Sequence, residues 1–165
     1  MSATPDADVP SKGLATWIAV VGGSLGLHHV YLGRRRWLAL LYPVPTLLGL
    51  AGVFRMRNLG QDDHASWVLI PFLGVTLSVG MLCAIVIGLT SDARWARRHV
   101  PAAAAADPDD ESPPGTVATG WTPVLGVILA LMVGGGVLMG TIAFSVQKFF
   151  EWRAEAAESM SEIHK

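Results

Sequence analysis

The side chains able to hold a metal or move a proton are few. The chain of 165 residues has five histidines and one cysteine, and only His28, His29 and Cys83 lie inside apolar runs. Adjacent side chains on a helix point about 100° apart, so His28 and His29 do not readily grip one ion together. His64 and His99 fall in polar connections, and no Cys/His spacing of the zinc type is present. Cys83 reads as a small buried hydrophobe. Gly22-Gly23-Ser24-Leu25-Gly26 lacks the preceding strand and following lysine of a phosphate-binding loop. No nucleophile, base and acid occur in a recognisable set. The expectation is no enzyme, no metal and no cofactor, with His28 and His29 as the candidate polar site. The alternative places one of them in a helix seam and the other at a membrane interface.

The elements that carry these residues are apolar. Hydrophobic residues make up 52% of the chain and charged residues 15%, with a mean hydropathy of +0.45. Soluble domains carry about a quarter charged residues. The deficit, gathered into four long runs, predicts an all-α integral membrane protein of about four transmembrane helices. A net charge of -1 gives no global field to attract nucleic acid. The N-terminal residues hold Asp6, Asp8 and a single Lys12, unlike a secretory or organelle leader, so the first run reads as a retained span.

That first run ends in Gly22-Gly23-Ser24-Leu25-Gly26-Leu27-His28-His29-Val30-Tyr31-Leu32-Gly33, followed by Arg34, Arg35 and Arg36. Taken as one helix, Gly22, Gly26, His29 and Gly33 fall on one face, which lets another backbone approach. Tyr31 sits near the end as an interfacial aromatic. Gly-x-x-Gly-x-His-His-Val-Tyr-Leu-Gly resembles the signature of the TM-two domain family, a module of two transmembrane helices joined by a short turn. The His-His form is most similar to the hairpin of membrane-bound DnaJ-type proteins. The likeness covers roughly residues 12–57. It implies a membrane hairpin and little chemistry. The His-Pro-Asp triplet of a J domain is absent, so chaperone recruitment is not carried over.

In order, residues 1–13 read as a flexible tail and 14–57 as the hairpin, whose second span holds Pro43 and Pro45 and is therefore bent or re-entrant. Residues 58–90 give a polar connection and a third span, with Ser66 as its cap. Gly80, Ala84 and Gly88 repeat there every four residues. Residues 91–120, with an acidic Pro-rich run after Ala102, read as a disordered loop. Residues 121–146 form the fourth span, marked by Gly126, Ala130 and Gly134. Residues 147–165 form an amphipathic helix with Phe149, Trp152, Ala156, Met160 and Ile163 on one stripe. An even number of crossings would put both termini on one side.

Arg34, Arg35 and Arg36, with Arg94, Arg97 and Arg98, form two clusters at membrane edges, suited to lipid headgroups or simply to fixing topology. No Asp, Glu or Lys lies within the four runs, and intramembrane charges normally mark transport or catalysis. The reading that follows is a structural adaptor in the bilayer, packing through Gly and Ala faces with itself or with other membrane proteins. The alternative is a transporter or channel accessory subunit lining a path at the broken second helix.

Overall fold

The computed structural model describes residues 10–33, 36–107, 109–114 and 116–163. Among them the regular structure is all helix, without a strand. Helix α1 runs from Lys12 to Gly22, opened by Ser11, whose hydroxyl accepts from the Leu14 amide. A 3₁₀ turn follows at Gly23–Leu25, then α2 at Leu27–Tyr31. Helix α3 spans Arg36–Leu41 and α4 Pro43–Leu59. Helix α5 covers His64–Leu89, α6 Asp92–His99, α7 Pro101–Ala104 and α8 Thr122–Ile163. Three helical stretches are long and apolar enough to cross a membrane: Ala39–Leu59, His64–Leu89 and Thr122–Glu162.

The first apolar run is not one of them. Gly26 takes φ +72°, a left-handed conformation that ends the 3₁₀ turn and starts α2. The chain then doubles back. A straight helix would separate residues 11 and 31 by about 30 Å. Instead the Ser11 amide donates to the Tyr31 hydroxyl at 3.0 Å. Residues 12–31 are therefore a short helical hairpin. The expected single face of Gly22, Gly26, His29 and Gly33 does not exist, because the helix that would align them turns at Gly26.

Prolines leave the next segment less disturbed than their number suggests. Pro43 and Pro45 lie in the first turn of α4, where a missing N–H costs least. The α3–α4 break is confined to Tyr42, itself at φ -61° and ψ -40°. Pro71 inside α5, which the sequence reading passed over, also leaves its helix continuous. Asp63, rather than Ser66, caps α5 by accepting from the Ser66 amide at 3.2 Å. Arg55 grips the same carboxylate at 2.9 and 3.0 Å. The Arg55 hydrogen bond first, then those from Ser66, holds the Asp63 carboxyl down to about 2.

Helix α5 is the hub. It packs on α4, on α8 and on the first hairpin. Each contact is made where a side chain is missing. A Cβ on Gly49 would lie 2.3 Å from Leu73 Cβ, and one on Gly52 2.6 Å from Leu69 Cβ. One on Gly23 would lie 2.7 Å from the Cα of Gly80, a contact of backbone with backbone. Helix α1 beds Ala15, Thr16 and Ala19, all fully buried, between α5 and α8. Thr16 fills the space left by Gly126 and lies close to Gly88. Ala84 and Ala130, at the centres of the two stripes read from sequence, are fully buried in one core cluster with Ala19, Val20 and Met81.

Residues 91–120 were expected to be a disordered loop; α6 and α7 occupy residues 92–104, and the described residues after them form no regular element. Ser91 caps α6, and Arg97 donates to the carbonyls of Asp107 and Asp110 at 3.1 and 2.5 Å. Pro113 is fully buried. The last apolar run and the C-terminal segment form one unbroken helix of 42 residues, α8, rather than a span and a separate tail. At 1.5 Å per residue α8 is about 63 Å long, twice a hydrocarbon core of ~30 Å.

Neighbouring glycines of α8 give a direct test of this packing. A Cβ on Gly134 would stand 2.6 Å from Met81 Cβ, whereas nothing lies within 4 Å of one on Gly135. Gly134→Leu is expected to lower stability by ~1–3 kcal/mol relative to Gly135→Leu, since both gain the same helix propensity and only one overpacks. Thermal unfolding of the two variants in one detergent measures the gap. Equal midpoints would mean that α8 does not seat on α5 in this register.

Candidate functional site

Two polar clusters stand out from the apolar bundle. The first is built by the turn of the hairpin. The left-handed Gly26 starts α2 against Ala39 and Tyr42; a Cβ at Gly26 would be 3.1 Å from each. That seats His28 and His29 beside Tyr42. The two imidazoles lie 4.2 Å apart between centroids, and Tyr42 meets them edge-on at 5.8 and 5.4 Å. His28 is only 2% exposed, and neither of its ring nitrogens has a hydrogen-bond partner within the described residues. Such a group costs about 1–3 kcal/mol. Below it, the Thr46 hydroxyl donates to the Ser24 carbonyl at 2.7 Å, taking up a backbone acceptor left over by the turn.

Tyr42 also borders a groove of about 560 Å³ between α4 and α5, shared with Leu41, Pro45, Phe72 and Thr76. Apart from Tyr42 and Thr76 its walls are apolar, and the Thr76 hydroxyl is turned to the Phe72 carbonyl at 2.6 Å. The groove suits a hydrocarbon chain and offers a hydrated ion almost nothing. His28, His29 and Tyr42 do come together, but they do not open a polar path through the bundle. No group of three or more His, Cys, Asp or Glu that could hold a metal occurs among the described residues.

The second cluster ties distant parts of the chain. Lys12 Nζ donates to Asp92 Oδ1 at 2.5 Å and to the Thr90 carbonyl at 3.0 Å. Asp92 also accepts from the Thr119 amide and hydroxyl at 3.1 and 2.5 Å. Trp95 Nε1 donates to the Pro10 carbonyl at 2.9 Å. Burial pushes the Asp92 carboxyl up, but the hydrogen bonds from Lys12 and Thr119 outweigh it and hold the group below the ordinary carboxylate range. One carboxylate thus joins the start of α1, the α5–α6 corner and the approach to α8. In the sequence, Lys12 looked like a lone tail charge and Asp92 like the end of a span.

The remaining candidates are scattered. Gly22 is buried at the end of α1, where a Cβ would strike Leu27. Gly33 has φ +63° and no described residue within 4 Å of where a Cβ would stand, so it shapes a turn. Tyr31 serves the hairpin through Ser11. Arg94 and Arg98 are exposed on α6, whereas Arg97 is committed to the carbonyls of the following loop. Arg34 and Arg35 lie outside the described residues, and Arg36 is the first residue of α3. No family model, curated protein or solved structure matches the chain.

The Asp92 node has a pH signature. Its folded pKa lies below the unfolded value of about 3.9, so its contribution is fully present above that value and is lost as pH falls through the folded pKa. Asp92→Asn is expected to cost ~1–3 kcal/mol at pH 7, leaving the buried Lys12 ammonium without its counter-ion. The gap to the wild type should close in acid, as pH falls through the folded pKa. Thermal unfolding at pH 7 and in acid reads both values. A gap that stays constant with pH would show that the carboxylate charge plays no part.

Proposed function

We propose that this chain is a multi-pass membrane protein of the TM-two domain type that works as a structural adaptor. In this reading α3–α4, α5 and α8 cross the bilayer, and the hairpin of residues 12–31 enters and leaves on one side. Three apolar helices of sufficient length support insertion. The motif Gly-x-x-Gly-x-His-His-x-Tyr-Leu-Gly supports the family assignment. The hairpin is a modification of that module, in which the first span is replaced by a re-entrant turn.

The observation that carries the adaptor reading is the absence of an ionisable pathway. The ion pairs Arg55–Asp63 and Lys12–Asp92 stand near helix ends, Lys148–Glu151 lies within α8 beside the start of α5, and the glycine and alanine stripes are spent on packing. Transport would need polar groups spaced through the bundle. The His28–His29–Tyr42 cluster is one polar layer beside an apolar groove, too little for a path. The apolar surface that remains, with Leu131, Met132 and Met139 on α8 64–73% exposed, suits lipid and other membrane helices.

Reconstitution into liposomes tests this reading. The purified protein is expected to leave proton and potassium fluxes at the level of protein-free vesicles. A flux that His28→Leu abolishes would replace the adaptor by a pathway subunit and make the histidine pair its working site.

A further inference from the structure

We infer that the outer face of α5 holds one phospholipid with a zwitterionic headgroup, its acyl chain along the α4–α5 groove and its head at the rim between the start of α5 and α8. The inference rests on the membrane reading above. On α5 the wall of the 560 Å³ groove runs from Val68 to Val79, with Val75 half exposed midway, and it faces Tyr42 and Pro45. That stretch rises by about 16 Å, the depth of one leaflet in a hydrocarbon core of ~30 Å. A partner helix would need a seam along the whole span, and this one covers half. At the Val68 end the groove does not stop. Val68 and Pro71 also wall a second recess, of about 350 Å³, between α5 and α8. There the lining turns aromatic and charged, with His64 and Trp67 from α5 and Lys148, Phe149 and Trp152 from α8. An apolar channel, then aromatic rings, then charge is the order in which a phospholipid presents chain, glycerol and head.

Charge selects the head. Lys148, 9% exposed, has its ammonium over the Trp67 ring at 4.5 Å and donates to Glu151 at 2.5 Å. The Trp67 ring is held there by its Nε1 bond to the Gln61 carbonyl at 2.7 Å. Glu155 meets His64 at 2.9 Å, and Arg153 stacks on Phe149 at 5.9 Å. Two carboxylates and two fixed cations therefore stand round the recess, and their charges cancel. An anionic head gains from Lys148 and Arg153 and loses to Glu151 and Glu155. A zwitterion sets its phosphate by the cations and its amine by the carboxylates. The half-exposed rings of Trp152 and Phe149 suit the same cationic amine. A diacylglycerol, without charge, uses none of the four.

The test uses the full chain, purified in mild detergent and stripped of lipid. It is titrated with phosphatidylcholine, phosphatidylglycerol or diacylglycerol carrying the same chains, and adducts are read by native mass spectrometry. One phosphatidylcholine per chain is expected, bound about tenfold more tightly than either of the others. Val75→Trp, which fills the groove, should abolish that preference, and Met132→Trp, on the exposed face of α8, should keep it. Glu151→Lys with Glu155→Lys leaves the groove untouched and should reverse the preference, toward phosphatidylglycerol by about tenfold. Equal binding of the three lipids, a preference that survives Val75→Trp, or no reversal in the rim variant would overturn the inference. A dimer of the chain in place of the lipid adduct, lost in Val75→Trp, would also overturn it and make the occupant a second copy. An alkaline wash of membranes separates this inference from the reading beneath it. A chain that stays in the membrane but shows no lipid preference sinks the inference alone. A chain that washes out removes the membrane reading, and the inference with it.

Discussion

The fold depends on a place where two backbones touch. Gly23 and Gly80 meet without side chains between them: a Cβ on either would stand 2.7–2.8 Å from the other's main chain. Nothing larger fits, and that fit lets the N-terminal hairpin sink against the middle of α5. Once the turn is seated there, Gly26 reverses the chain, His28 is carried inside against Tyr42, and α1 runs back along the groove between α5 and α8. Lys12 then arrives beside Asp92, eighty residues away in sequence. Membrane helices gain little from hydrophobic burial against one another, so close van der Waals approach of this kind is their main source of cohesion.

The same logic explains what was legible beforehand. Helices α5 and α8 announced themselves by length and apolarity, and their packing faces by small residues four apart. Ala84 and Ala130 are indeed fully buried. The turn at Gly22–Gly26 was not legible, because a glycine spacing of four fits a packed helical face and a reversal equally well. Which occurs is decided by Gly80, whose position opposite Gly23 is a tertiary fact. The Lys12–Asp92–Thr119 node was hidden for the same reason: each partner is an ordinary boundary residue until the hairpin brings them together. In residues 91–120 acid and proline hid the helical start: Ser91 caps α6 and α7 follows, while the described residues from 105 onward form no regular element and make local contacts through Arg97 and Pro113.

These features converge on a molecule whose polar chemistry is spent at its ends. Ion pairs pin two corners, glycines join the helices, and the buried His28 imidazole and the Lys148–Glu151 pair within α8 stand apart from those corners. Helix α8 is the element that outgrows the bundle. Its inner face serves α5, and its outer face is exposed.

The hairpin has a consequence for the topology proposed above. If residues 12–31 cross the bilayer as a straight helix, the chain makes four crossings and both ends share a side. If they turn back at Gly26, it makes three and the ends are separated. Reporters fused before residue 1 and after residue 165, labelled with a membrane-impermeant reagent in sealed vesicles, distinguish the two. The hairpin places them on opposite faces. Labelling of both from the same face would contradict it, and with it the Gly23–Gly80 contact on which the fold is built.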